Sequence, residues 1–121
     1  MGRIFVLGGM KLEHGNLSNL FSFGKFANFL MGLSKKKFTK ILYFPTAKGD
    51  LDDEYSLFKI FFEKKFNCRV DCLKLYKNAS SYSELKKIIL SSDIIFVGGG
   101  NTLRMMKLWR KKKIDKILKE A

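Results

Sequence analysis

Proline, histidine and cysteine are all scarce in these 121 residues: Pro45 and His14 stand alone, and Cys68 and Cys72 are the only thiols. Each scarcity excludes something. A single proline, with no low-complexity tract, argues against a disordered linker. Residues four apart in a strand lie about 13 Å apart, too far for Cys68 and Cys72 to form a disulfide. One histidine beside two cysteines gives too few ligands for a zinc site. No apolar run reaches the roughly 20 residues of a membrane helix. Arg3 precedes only residues 4–7 before glycines interrupt, short of the about 7–15 apolar residues of a secretory leader. A cytoplasmic protein with no membrane partner is the expectation, organised as one domain over residues 1–121.

Acidic residues are few as well, 11 against 24 Lys and Arg, for a formal net charge of +13. Such an excess fits either a nucleic-acid or acidic-membrane partner or a solvated, lysine-rich surface. The lysines are spread through every predicted helix, with runs only at 35–37 and 110–113. No helix-turn-helix signature, RNA-binding aromatic motif or zinc finger accompanies them. The solvated surface is the better reading and nucleic acid the weaker one.

What is present alternates strand with helix. Residues 4–7 form a short apolar run ending in Gly8 and Gly9, the pattern of a strand buried on both faces. Apolar residues at helical spacing follow from 17 to 33, with Asn16 or Ser18 as the cap. Residues 41–44 read as a second strand, stopped by Pro45. Asp50, Asp52, Asp53 and Glu54 suit the first turn of the next helix, where the macrodipole is positive; substrate-binding carboxylates are the less favoured reading. Residues 68–75 alternate apolar and polar, as a strand with one wetter face does, and an edge position suits them. Ser81 or Ser83 caps a short helix. Residues 94–97 are the most continuous apolar strand, and a helix from about Thr102 to Arg110 precedes a last amphipathic piece. Trp109 and the Met105–Met106 pair fit a packed helix face. Parallel strands with right-handed crossovers follow from this order, with helices on both faces of the sheet. Ligand sites in such sheets lie at the carboxyl ends of the strands.

Three of those ends are chemically unusual: Gly8-Gly9, Pro45-Thr46-Ala47 and Gly98-Gly99-Gly100-Asn101. They are expected to converge on one edge of the sheet. Glycine permits positive φ and close approach of a ligand, Asn101 or Thr102 can cap the following helix, and backbone N–H groups at such a turn receive anions or a developing oxyanion. Three glycines exceed what a tight turn needs. Neither the dinucleotide fingerprint nor a Walker loop fits the spacing.

The three segments Leu7-Gly8-Gly9, Tyr43-Phe44-Pro45-Thr46-Ala47 and Phe96-Val97-Gly98-Gly99-Gly100-Asn101-Thr102, in this order and spacing, resemble the N-terminal half of the dipeptidase E and cyanophycinase-like serine peptidases. The resemblance implies a three-layer α/β sandwich with a mainly parallel sheet, flavodoxin-like and related to class I glutamine amidotransferases. It implies hydrolysis of small peptides, aspartyl dipeptides among them, with no metal or organic cofactor. Gly99 and Gly100 would supply the oxyanion hole. Gly9, Thr46, Gly98, Asn101 and Thr102 would line the substrate side.

The sequence departs from that family in one respect. No Gly-x-Ser-x-Gly or Ser-Ala-Gly elbow occurs in these residues, and the family's nucleophile strand and catalytic His would follow Ala121. The serines present fall at caps, in loops or on helices, without the strained turn that exposes a nucleophile. His14, in a loop at the functional edge, reads as a solvated side chain ahead of a catalytic one. The expectation is a chain truncated before the nucleophile strand and inactive alone. An inactive remnant or small-anion-binding module is the second reading, and a basic nucleic-acid-binding domain the third. Residues 94–97 are expected to be central, beside the nucleophile strand. In its absence their edge would take the missing C-terminal half or another chain.

Overall fold

The computed structural model describes residues 17–34, 36–49, 53–76, 80–98 and 100–121. The predicted strand at 4–7, Gly8, Gly9, His14, Asp50, Asp52 and Gly99 lie outside the described residues. The elements in chain order are α1 (Leu17–Leu33), β1 (Thr39–Phe44), a 3₁₀ turn (Thr46–Lys48), α2 (Asp53–Lys65), β2 (Cys68–Cys72), α3 (Tyr82–Leu90), β3 (Ile94–Val97), α4 (Thr102–Lys112) and α5 (Ile114–Glu120). Their positions follow local signals. α2 opens within the acidic segment. The Ser81 side chain caps α3 by accepting the Glu84 N–H, and the Asn101 side chain caps α4 by accepting the Arg104 N–H.

The three described strands are all parallel, in the order β2-β1-β3. Among the described residues the wetter strand β2 is an outer strand of the sheet, β1 is central and β3 is the outer strand opposite β2. The outer edge of β3 is the one expected to pair with the nucleophile strand, which would follow Ala121. The difference between β1 and β3 is visible in burial: Ile41, Leu42, Tyr43 and Phe44 are buried, whereas Ile94, Ile95 and Phe96 are half-buried and Val97 is exposed.

Alternation along β1 divides the core in two, making three layers. Ile41 and Tyr43 face Ala27 of α1 and Phe58 and Phe62 of α2. Leu42 and Phe44 face Leu85 and Ile89 of α3, Met105 and Trp109 of α4, and Ile114 and Ile117 of α5. The first face is aromatic. Phe58 and Phe62, one helical turn apart, stack at 4.4 Å between centroids, and Phe96 lies 4.6 Å from Phe58. Each fully buried phenylalanine contributes about 1.5–3 kcal/mol of transfer free energy.

The two crossovers use opposite faces. The chain passes from β1 to β2 over α2, then reverses past β1 to β3 over α3. Both connections keep the same hand only if the helix changes face when the direction of travel reverses. The reversal puts a topological switch point between β1 and β3, and the crevice outside such a point is where ligands bind in open parallel sheets.

Candidate functional site

The loops leaving β1 and β3 meet at that switch point. Gly98 N–H donates to the Phe44 carbonyl at 3.0 Å, and Asn101 N–H donates to the Ala47 carbonyl at 2.8 Å. These bonds continue the β1–β3 ladder past the end of the sheet and tie the glycine turn to Pro45-Thr46-Ala47. Two of the three segments singled out in the sequence are therefore adjacent.

Each turn is shaped by its residues. Gly98 is buried. A Cβ added there would stand 2.6 Å from the Tyr43 hydroxyl oxygen and 3.4 Å from the Phe44 carbonyl, so a larger residue would have to displace the ring or the strand. Gly100 has φ 147°, a conformation that L side chains rarely adopt. Asn101 closes the turn from both sides: its backbone N–H reaches Ala47, and its Oδ1 accepts the Arg104 N–H at 3.0 Å. Thr102, the first residue of α4, is exposed beside it.

Thr46 is placed differently from these. Its side chain is fully buried, and its Oγ1 lies 3.5 Å from Trp109 Nε1, whose N–H points to it. Thr46 thus anchors the β1 loop to α4 from beneath, and Trp109 packs edge-on against Phe44 at 5.6 Å. The 3₁₀ turn ends at Gly49 in the left-handed region, φ 66°, with its N–H on the Thr46 carbonyl.

The fold brings in two groups that the motifs do not mark. Arg104 places its guanidinium over the Tyr76 ring at 4.9 Å and passes 3.3 Å from the point where a Cβ on Gly49 would stand. Tyr76 is in the loop after β2, so it reaches this edge through strand order. Only the spacing of Arg104 three residues beyond the Asn101 cap carries a sequence signal.

The titratable groups displaced from their ordinary range are elsewhere. At the outer side of β2, the Glu63 carboxylate accepts the Val70 N–H at 3.0 Å, which holds its pKa low. Lys59 donates to the Val70 carbonyl at 3.0 Å and pairs with Glu63 at 3.1 Å, and the hydrogen bond to Glu63 raises its pKa. Burial pushes the nearby Tyr55 phenol and the Cys68 thiol upward. At the opposite end of the sheet, burial works against the Asp93 carboxylate, but bonds from Lys36 and the Lys40 N–H outweigh it and lower its pKa. These groups brace the scaffold and do not face the switch point. Among the described residues no group of three or more His, Cys, Asp or Glu could hold a metal, and no helix is long and apolar enough to cross a membrane.

Comparison with known proteins agrees with this geometry. Residues 6–121 match the profile of Peptidase family S51. The uncharacterized peptidase YgaJ of Bacillus subtilis (strain 168) is 33% identical over 114 residues, covering 94% of this chain and 45% of that protein. A crystal structure from Listeria monocytogenes EGD-e, of a protein assigned as a peptidase E, superposes with a TM-score of 0.61 at 20% identity, covering 78% of this chain and 46% of the other. That likeness establishes the fold as flavodoxin-like α/β. The chain spans less than half the length of both relatives.

Proposed function

Because the chain belongs to peptidase family S51, we propose that it forms the oxyanion and substrate side of a serine-type peptidase acting on small peptides, aspartyl dipeptides among them. The observation that carries this reading is the joint between Asn101 N–H and the Ala47 carbonyl. It holds the glycine turn and the β1 loop together at the carboxyl ends of β1 and β3, where a bound peptide would lie.

In the proposed reaction a serine hydroxyl adds to the peptide carbonyl while a base takes its proton. The carbonyl oxygen becomes an oxyanion, and backbone N–H groups of Gly99 or Gly100 receive it. Collapse expels the amine, and water then cleaves the acyl-enzyme. Preorganised donors of this kind are worth about 3–4 kcal/mol of transition-state stabilisation each. Gly9, Gly98, Asn101 and Thr102 would border the substrate. Thr46, buried against Trp109, would act by holding the β1 loop in place. The nucleophile and its base would come from sequence outside these 121 residues, and the chain alone would be inactive, because an oxyanion hole by itself leaves only residual catalysis. The alternative is a binding module that keeps the anion-receiving turn without the chemistry.

The test compares the 121-residue chain with any longer product of the same gene, using a fluorophosphonate probe and a panel of dipeptides. The expected result is labelling and hydrolysis by the longer product only. Hydrolysis by the 121-residue chain would overturn the division of the site. A longer product that neither labels nor hydrolyses would favour the binding module.

A further inference from the structure

Arg104 touches the loops that follow two of the described strands and stands on the helix that follows the third. It is in the first turn of α4, directly after the glycine turn that leaves β3. Its guanidinium lies against Gly49, in the loop after β1, and over Tyr76, in the loop after β2. All three strands are parallel, so these loops share the carboxyl edge of the sheet, where a substrate would approach.

Helix stability does not account for a cation at this position. The first turn of a helix carries the positive end of the macrodipole, which disfavours Arg. Among the described residues the ion pairs engage Lys36, Lys59, Arg69 and Lys86, and none engages Arg104, which is exposed. What holds the side chain is the Tyr76 ring, 4.9 Å from the guanidinium carbon. A cation–π contact of this kind uses none of the guanidinium's N–H hydrogen bonds. That leaves the fork with which Arg grips a carboxylate through two parallel hydrogen bonds. Gly49 adds a fit: its φ of 66° suits glycine, and a Cβ there would crowd the guanidinium at 3.3 Å.

We infer that Arg104 is a specificity-determining residue that binds a carboxylate of the peptide substrate. The inference rests on the peptidase reading above. Two substrate carboxylates share this chemistry, that of an acidic side chain and that of the peptide C-terminus, and four probes separate them: Asp-Leu, Asn-Leu and the C-terminal amide of each.

The experiment titrates the ¹⁵N-labelled chain with the four peptides, following backbone amides around Gly100 and the Arg104 Nε–Hε resonance, in wild type and in Arg104→Gln. The expected result is at least ten-fold tighter binding of the peptides that carry the recognised carboxylate, with movement of the Nε–Hε resonance, and loss of that preference in R104Q. Preference for Asp-Leu-amide over Asn-Leu-amide assigns the side-chain carboxylate. Preference for Asn-Leu over its amide assigns the C-terminus. Arg104→Lys, which keeps the charge without the fork, is expected to recover only part of the preference. If R104Q keeps the full preference, Arg104 is a packing residue and the inference falls while the peptidase reading stands. If all four peptides bind wild type equally, the inference falls in the same way. If no peptide binds wild type, both fall.

Discussion

The hydroxyl oxygen of Tyr43 occupies the space that a side chain on Gly98 would need, 2.6 Å from the position of its Cβ. Tyr43 is on the central strand and its ring stacks on Phe96 at 5.4 Å, so it cannot swing away without disturbing the aromatic face of the core. Gly98→Ala is therefore expected to destabilise the fold by about 1–3 kcal/mol, the usual range for overpacking. Urea denaturation gives the value. In a double-mutant cycle with Tyr43→Phe the two costs should be less than additive, because removing the oxygen removes the clash. Strict additivity would show that the hydroxyl is not the obstacle.

Asn101→Ala removes the acceptor for the Arg104 N–H, and N-cap losses of this kind cost about 1 kcal/mol. Asn101→Asp keeps the acceptor and places a negative charge at the positive end of the helix, so its stability should equal or exceed that of wild type. Thermal denaturation of both variants checks the order. An alanine variant as stable as wild type would mean that the cap is dispensable.

Glu63 and Asp93 give stability an acid limit. Both carboxyls have pKa values lowered by folding, Glu63 chiefly through the Val70 N–H, and Asp93 because its bonds to Lys36 and the Lys40 N–H outweigh burial. A depressed carboxyl contributes stability that is fully present above its unfolded pKa, about 4, and lost as pH falls through the folded value. Denaturation midpoints measured from pH 7 to pH 3 should fall below about pH 4. The fall should be shallower in Glu63→Gln, which keeps an acceptor oxygen for Val70 but does not titrate. An unchanged profile in that variant would remove Glu63 from the account.

Lys113, between α4 and α5, has φ 61°, a left-handed conformation that costs a non-glycine residue roughly 1–2 kcal/mol. Part of that is offset by the greater entropy glycine loses on folding and by the Lys113–Tyr82 contact at 5.9 Å. Lys113→Gly is expected to stabilise the chain by up to about 1 kcal/mol. A lower denaturation midpoint would show that the Tyr82 contact outweighs the strain.

The sequence by itself determined the elements and the character of the turn. Caps, periodicity and the dipole preference for acids act within a few residues, so α3 behind Ser81 or Ser83, α4 behind Asn101 or Thr102 and the acidic opening of α2 could be read from the sequence. Alternation along 68–75 marked a strand with one wetter face, and the run Gly98-Gly99-Gly100-Asn101-Thr102 marked a strand-to-helix turn with special backbone. Tertiary structure decided what no local signal holds. It put β1 in the centre of the described sheet, because strand order depends on which face each crossover helix covers. It buried Thr46 beneath Trp109, because α4 packs over the end of β1. It gave Gly98 a steric reason in Tyr43 and brought Arg104 to Tyr76 and Gly49. The loops after β1, β2 and β3 are far apart along the chain and become neighbours only through the parallel register of three strands.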